Sequence, residues 1–146
     1  MAAQFNADRS HELHNAFSED RYDDVLGLAA DDIEVVAHSI GQTFRGKQQF
    51  RDFFMSFKTA LPDLTIRAIN TIAEGDHVAV EFLATGTHTG PLMTPGGAIP
   101  ASNNQVTLNV CEVHQWKDGK LSRLVNYQDA ISLMMQIGAL PAQTGS

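Results

Sequence analysis

The stretch Asn104–Gly138, NQVTLNVCEVHQWKDGKLSRLVNYQDAISLMMQIG, most restricts what this chain can fold into. Two runs of alternating apolar and polar residues flank Lys117-Asp118-Gly119-Lys120. Asp-Gly between such runs is the strongest short-range signal for a β-hairpin. An apolar segment suited to a short helix follows, from about Asp129 to Gly138. The same stretch holds much of the chain's rarer chemistry: Glu112, His114, Asn126, Asp129, the single tryptophan Trp116 and the single cysteine Cys111. The expectation is a hairpin that forms one wall of a pocket, closed by the rest of the chain.

Side chains alternate between the two faces of a strand. If Glu112 faces the pocket, Val110, His114 and Trp116 face it too, and Asn126 brings Leu124 and Ser122 on the partner strand. Pairing about the turn places Glu112 and Asn126 on neighbouring rungs, with the register open by one residue. A carboxylate in an apolar pocket is expected to have a raised pKa, because burial disfavours its charged form, and such a group suits general acid/base work. The structural alternative is an ion pair of Glu112 with Arg123 or His114. His88, between the glycines of Gly86-Thr-His-Thr-Gly90, shares the parity of Val80, Phe82 and Ala84 and is expected at the cavity rim, or else satisfied by its loop backbone. Glu112 and His114, with His38 or His88, form the one conceivable metal set. No closed ligand spacing lies on a single element, so no metal is expected. Asp129 reads as the N-cap of the last helix. The expected ligand-contacting side chains are His114, Trp116, Val35, Phe82 and Phe54.

Upstream, Asn6–Ala16 is only intermittently apolar, but Asp8 and Ser10 suit a helix start and Leu13, Ala16 and Phe17 mark one face, and Asp20 is placed to cap a second helix reaching Ala29 or Ala30. Ile33–Ile40 reads as a strand, and Thr43-Phe44 as a short one. Lys47–Leu61 carries Phe50, Phe53, Phe54, Phe57 and Leu61 at helical spacing, and that stripe reads first as a core-facing helix. Leu64–Ala73 and His77–Thr87 are strands, and residues 87–102, rich in Gly and Pro, read as a lid or rim loop. Helices gathered before an antiparallel meander imply an α+β fold: a curled antiparallel sheet forming a cone, closed by N-terminal helices. Residues 1–140 are expected as one domain and 141–146 as a flexible tail. A net charge of −7 with ten scattered Lys and Arg argues against nucleic acid and against an anionic membrane surface. There is no apolar run of membrane-spanning length, no signal-peptide pattern and only one cysteine, so a cytoplasmic protein is expected.

The segments GTHTGPL (Gly86–Leu92), WKDGKL (Trp116–Leu121) and NYQDAISLMMQIG (Asn126–Gly138) resemble the SnoaL-like polyketide cyclase family. The order of elements over about residues 8–139 is similar to the nuclear transport factor 2-like fold. The resemblance implies a central pocket for a hydrophobic carbonyl-containing small molecule, with no metal or cofactor. In the family, an aspartate late in the final strand is the general acid/base and a histidine on the preceding strand assists. Counted from Asp118-Gly119-Lys120, those positions hold Asn126 and Glu112 here. An amide is no base at neutral pH. Acid/base work is therefore assigned to Glu112, and polarisation of an oxygen to Asn126 and His88, in a cofactor-independent cyclase or isomerase. The alternatives are a non-catalytic small-molecule binding protein of the same fold and, more weakly, an epoxide or ester hydrolase. The family also implies a homodimer through the open sheet face, here Thr107, Asn109, Cys111, Val113, Arg123, Val125 and Tyr127.

Overall fold

A computed structural model describes residues 2–140; the tail expected at 141–146 lies outside the described residues. Helix α1 (Ala2–Ser18) starts earlier than the pattern at Asn6–Ser10 suggests. Its buried face explains why: Asn6, Ser10 and His14 are interleaved there with Ala7, Leu13, Ala16 and Phe17, so the apolar period is broken by polar residues. Asp20 adopts φ +60° and closes the turn after α1 instead of capping the next helix. Helix α2 (Tyr22–Gly27) is accordingly short. Strand β1 (Ala29–Ala37) begins earlier than expected, and Asp31-Asp32 fall within an irregularity in its pairing.

A single 3-10 turn (His38–Ile40) and strand β2 (Gln42–Arg45) lead into helix α3 (Gly46–Ala60). The phenylalanine stripe of α3 packs inward. Phe54 meets Phe50 and Phe17 edge-to-face at ring distances of 5.2 Å and 6.2 Å, a favoured aromatic geometry. Strands β3 (Thr65–Glu74) and β4 (His77–Thr87) follow. The Gly/Pro-rich segment is not a bare loop but contains a small hairpin, β5 (Leu92–Thr94) and β6 (Gly97–Ile99). It is pinned to the end of α3: the Gly90 N–H donates to the Ala60 carbonyl at 3.1 Å, and a Cβ on Gly90 would sit 1.9 Å from the Thr59 carbonyl oxygen. Strands β7 (Gln105–Lys117) and β8 (Lys120–Gln128) form the expected hairpin, with Asp118 and Gly119 at positive φ. Helix α4 (Ala130–Gln136) ends the described chain, and Asp129 caps it by accepting from the Ser132 N–H at 2.9 Å.

The architecture is α+β, with a curled, unclosed six-stranded sheet in the order β2-β1-β8-β7-β4-β3 and helices against its inner face. One pairing departs from the antiparallel expectation: β1 runs parallel to β8. These strands are joined by everything from the 3-10 turn and β2 to β7, and so long a connection leaves strand direction free where a tight hairpin would fix it. The outer face carries rows such as Ile72–Ala79–Val113–Val125, read across β3, β4, β7 and β8. No helix among the described residues is long and apolar enough to cross a membrane.

Candidate functional site

Strand register places Glu112 of β7 directly opposite Asn126 of β8, on the same rung. The Asn126 amide Nδ2–H donates to Glu112 Oε2 at 2.8 Å. Two imidazoles reach the other oxygen: His14 Nε2 from α1 at 2.8 Å and His114 Nε2 from β7 at 3.0 Å. All four side chains are buried, with relative exposures of 6% for Glu112, 3% for Asn126, 6% for His14 and 0% for His114.

These contacts reverse the expected electrostatics of Glu112. Burial does push its pKa upward, and it is the largest single influence. The hydrogen bonds from His114 and His14 and the attraction of both rings together outweigh it, so the carboxyl is held well below the usual carboxylate range. The sequence expectation counted desolvation and not the partners that a distant helix supplies. Of the two alternatives for an ion pair, the contact with His114 is present, whereas Arg123 pairs with Glu34 at 3.1 Å.

An ionised carboxylate only accepts hydrogen bonds, which sets every proton around it. His114 and His14 must each carry hydrogen on Nε2, and Asn126 must turn its NH2 group inward. Burial holds His114 below its ordinary value of 6.5, and its neutral ring then leaves Nδ1 as an acceptor. The Ser10 hydroxyl lies 2.8 Å from that nitrogen and donates to it. Ser10 Oγ in turn accepts the Trp116 indole N–H at 2.9 Å. The order Trp116, Ser10, His114, Glu112 is thus a donor chain ending on the carboxylate. Ser10→Ala strips the partner from both Trp116 and His114, and the expected cost is about 1–3 kcal/mol, read from the urea unfolding midpoint.

Acid should destabilise the fold in two stages. Between its ordinary value of 6.5 and its lower folded value, His114 is protonated in the unfolded chain but not in the folded one, so the unfolded state binds more protons and stability falls as pH drops. Below 4.5, the ordinary value for Glu112, the same holds for that carboxyl. Stability measured against pH is expected to decline from near 6.5 and more steeply below 4.5, at up to about 1.4 kcal/mol per pH unit for each group.

Glu112, His14 and Asn126 line a cavity between the helices and the sheet. Its wall is otherwise largely apolar, built from Phe17 of α1, Phe50, Phe53, Phe54 and Phe57 of α3, Phe82 of β4 and several leucines. The space between these atoms totals about 680 Å³ with the open mouth included, and the centre of a water-sized molecule can occupy about 60 Å³ of it. The cavity is therefore slim. Two buried polar atoms on its lining side chains have no hydrogen-bond partner among the described residues: His14 Nδ1 and Asn126 Oδ1. An unsatisfied buried polar atom costs about 1–3 kcal/mol, which a ligand could offset.

Of the residues singled out from sequence, Phe54, Phe82, Glu112 and Asn126 lie in this lining. His114 and Trp116 stand behind it, holding the carboxylate and Ser10, and Val35 is packed fully into the core. His88 is also buried, but its Nδ1 accepts the Ser102 N–H at 3.1 Å and lies 2.9 Å from the Ser102 hydroxyl, within its own loop. His14 and Gln128 are the polar lining residues that sequence reasoning missed. His14 follows Ser10 by four residues and lies beside Leu13 and Phe17, so helical spacing carried a signal, but nothing local connects it to Glu112, 98 positions away. His14 Nε2, Glu112 Oε1 and His114 Nε2 lie within 4.8 Å of one another, a donor set that could hold a divalent cation. Such binding would first have to displace both Nε2 protons from their charge-assisted bonds to the carboxylate. His38 takes no part in this set and stacks on Tyr127 at 4.8 Å.

The family model described as SnoaL-like polyketide cyclase matches residues 8–137. The chain belongs to the SnoaL-like polyketide cyclase family. No curated protein matches the sequence. Among solved structures, a SnoaL-like polyketide cyclase candidate from Jannaschia sp. CCS1 superposes with a TM-score of 0.85 at 23% identity, covering 96% of each chain. IdmH of Streptomyces antibioticus, a polyketide cyclase candidate, gives 0.78 at 19% identity, over 91% of this chain and 98% of its own. A ketosteroid isomerase-like protein from Catenulispora acidiphila, solved with trimethylamine, gives 0.74 at 18% identity, over 89% and 92%. At these identities the structural likeness establishes the nuclear transport factor 2-like fold, and the chemistry has to be argued from this chain's own side chains.

Proposed function

We propose that this SnoaL-like protein is a cofactor-independent acid/base enzyme, a cyclase or isomerase, acting on a hydrophobic carbonyl-containing small molecule. The observation that carries the reading is His14: it lines an apolar cavity, an ionised carboxylate holds its Nε2–H, and its Nδ1 is unpartnered. In the neutral ring that nitrogen is a lone pair able to take a proton from a carbon beside the ligand's carbonyl. Glu112 orients the ring and stabilises the imidazolium that forms. Held so far below the usual range, Glu112 is a weak base itself, so the direct role expected for it passes to His14. The proton returns from Nδ1 to carbon or oxygen as the bond rearranges. His88 engages its Nδ1 within its own loop, lies outside this cavity's lining and has no step in this scheme.

The test is deuterium incorporation from D2O into a hydrophobic 1,3-diketone such as benzoylacetone, followed by proton NMR. Acceleration over buffer that is lost in His14→Gln supports the reading; exchange at the buffer rate counts against it. The second reading, a non-catalytic binding protein of the same fold, is favoured by the amide at the family's acid/base position. It predicts tight binding with no exchange. Hydrolysis of an epoxide or ester by water activated at Glu112 is weaker still, because both carboxylate oxygens are already engaged.

The protein is further proposed to act in the cytoplasm as a homodimer through the outer sheet face. On that face Ile72 and Tyr127 are 62% and 48% exposed, an apolar patch worth covering. Sedimentation should show a dimer for the wild type and a monomer for Val113→Arg, and fractionation of the producing cell locates the protein.

A further inference from the structure

We propose that the cavity selects an uncharged ligand bearing an O–H group, a hydroxyl or enol beside its carbonyl, and rejects anions. This deepens the reading of the same cavity given above and rests on it. The N–H groups of the polar cluster that reach Glu112 are spent on it: His14 and His114 donate to Oε1, and one of the two N–H bonds of the Asn126 amide donates to Oε2. What the lining leaves bare is two acceptors, Asn126 Oδ1 and, in the neutral ring, His14 Nδ1. A ligand hydroxyl finds two unpartnered acceptors anchored on the two oxygens of one carboxylate, against the single remaining N–H of Asn126 for a ligand carbonyl.

The rest of the lining sharpens the selection. Among the described residues it contains no Lys or Arg, and its one formal charge is the Glu112 carboxylate, so a carboxylate or phosphate entering the cavity would lose its water and meet like charge. Phe17, Phe50, Phe53, Phe54, Phe57 and Phe82 offer an aromatic wall for a flat apolar body. The remaining polar lining residue, Gln128, can donate through its amide to the ligand's carbonyl oxygen. Asn126, expected from sequence to polarise an oxygen by donating to it, is instead suited to receive a proton donor, because one N–H is spent on Glu112 and its Oδ1 has no partner. A site with bare buried acceptors discriminates against an analogue that lacks the matching donor.

Three probes of one shape test this in the wild-type protein: 2-naphthol, 2-methoxynaphthalene and 2-naphthoate. Binding is titrated by calorimetry at about pH 7.5, where a naphthol keeps its proton much as tyrosine does. The expected order is naphthol tightest, the methyl ether about tenfold weaker for the lost hydrogen bond, and no saturable binding of naphthoate. In Asn126→Leu the gap between naphthol and ether should narrow; if that variant fails to fold, the wild-type series alone decides. An ether that binds as tightly as the naphthol, naphthoate as the tightest of the three, or no binding of any probe overturns the proposal. Deuterium exchange of a diketone without naphthol preference would leave the proposed reaction standing and remove this selectivity. Preference without exchange would do the reverse.

Discussion

Replacing His14 with glutamine is expected to lower the rate of deuterium exchange by about 10²–10⁴-fold, the usual contribution of a positioned general base. Glutamine is chosen because its Nε2–H can take the place of the imidazole N–H that donates to Glu112 Oε1 at 2.8 Å. The carboxylate then keeps its partners and the fold should persist. What disappears is the bare Nδ1, and with it the only titratable side chain in the lining other than Glu112. The measurement separates base from scaffold: ligand affinity and unfolding midpoint near wild type with a collapsed exchange rate is the expected outcome. An unchanged rate would move the base elsewhere and end the assignment.

Glu112→Gln is expected to be the more damaging change, costing about 1–3 kcal/mol of stability together with most of the exchange activity. The wild-type carboxylate accepts from three buried donors at once. An amide supplies one oxygen for the two imidazole N–H groups and, on the other side, an NH2 group that Asn126 can meet only by turning its own amide over to present Oδ1. His14 loses the carboxylate that sets its tautomer and supports the imidazolium, a loss that weakens catalysis wherever a carboxylate orients an imidazole base. The acid limb of stability should change too. The steepening below 4.5 belongs to Glu112 and is expected to vanish, while the decline from 6.5 due to His114 persists only if His114 remains buried and neutral. Urea unfolding across pH reads both effects. A variant as stable and as active as wild type would contradict the cluster's role.

Much of this architecture was legible without coordinates. Asp118-Gly119 between alternating runs marked the hairpin, and the positive φ of both residues shows why those two types occupy that turn. The phenylalanine spacing marked α3, and Asp129 marked the start of α4. Period-two alternation also placed Val110, Glu112, His114 and Trp116 on one buried face. These features are local, since each rests on residues within one element or across one tight turn. The start of α1 was illegible because polar residues occupy its buried face. The parallel pairing of β1 with β8 was illegible because no short connection enforces it.

From the sequence alone come the inward position of the Glu112 side chain, its proximity to Asn126 and the family whose cyclase positions these residues occupy. Its chemistry was decided by tertiary structure. Burial by itself would have raised the pKa of Glu112, and only the docking of α1 against β7 brings His14 and Ser10 to a cluster nearly a hundred residues away in the chain. Donors from His114 of β7 and His14 of that helix reverse the shift, turn the carboxylate into the support of an imidazole and leave two acceptors unpartnered on side chains that line an aromatic cavity. Local patterns report which way a side chain points, but a protonation state depends on the sum of burial and partners, and those partners are assembled by long-range packing.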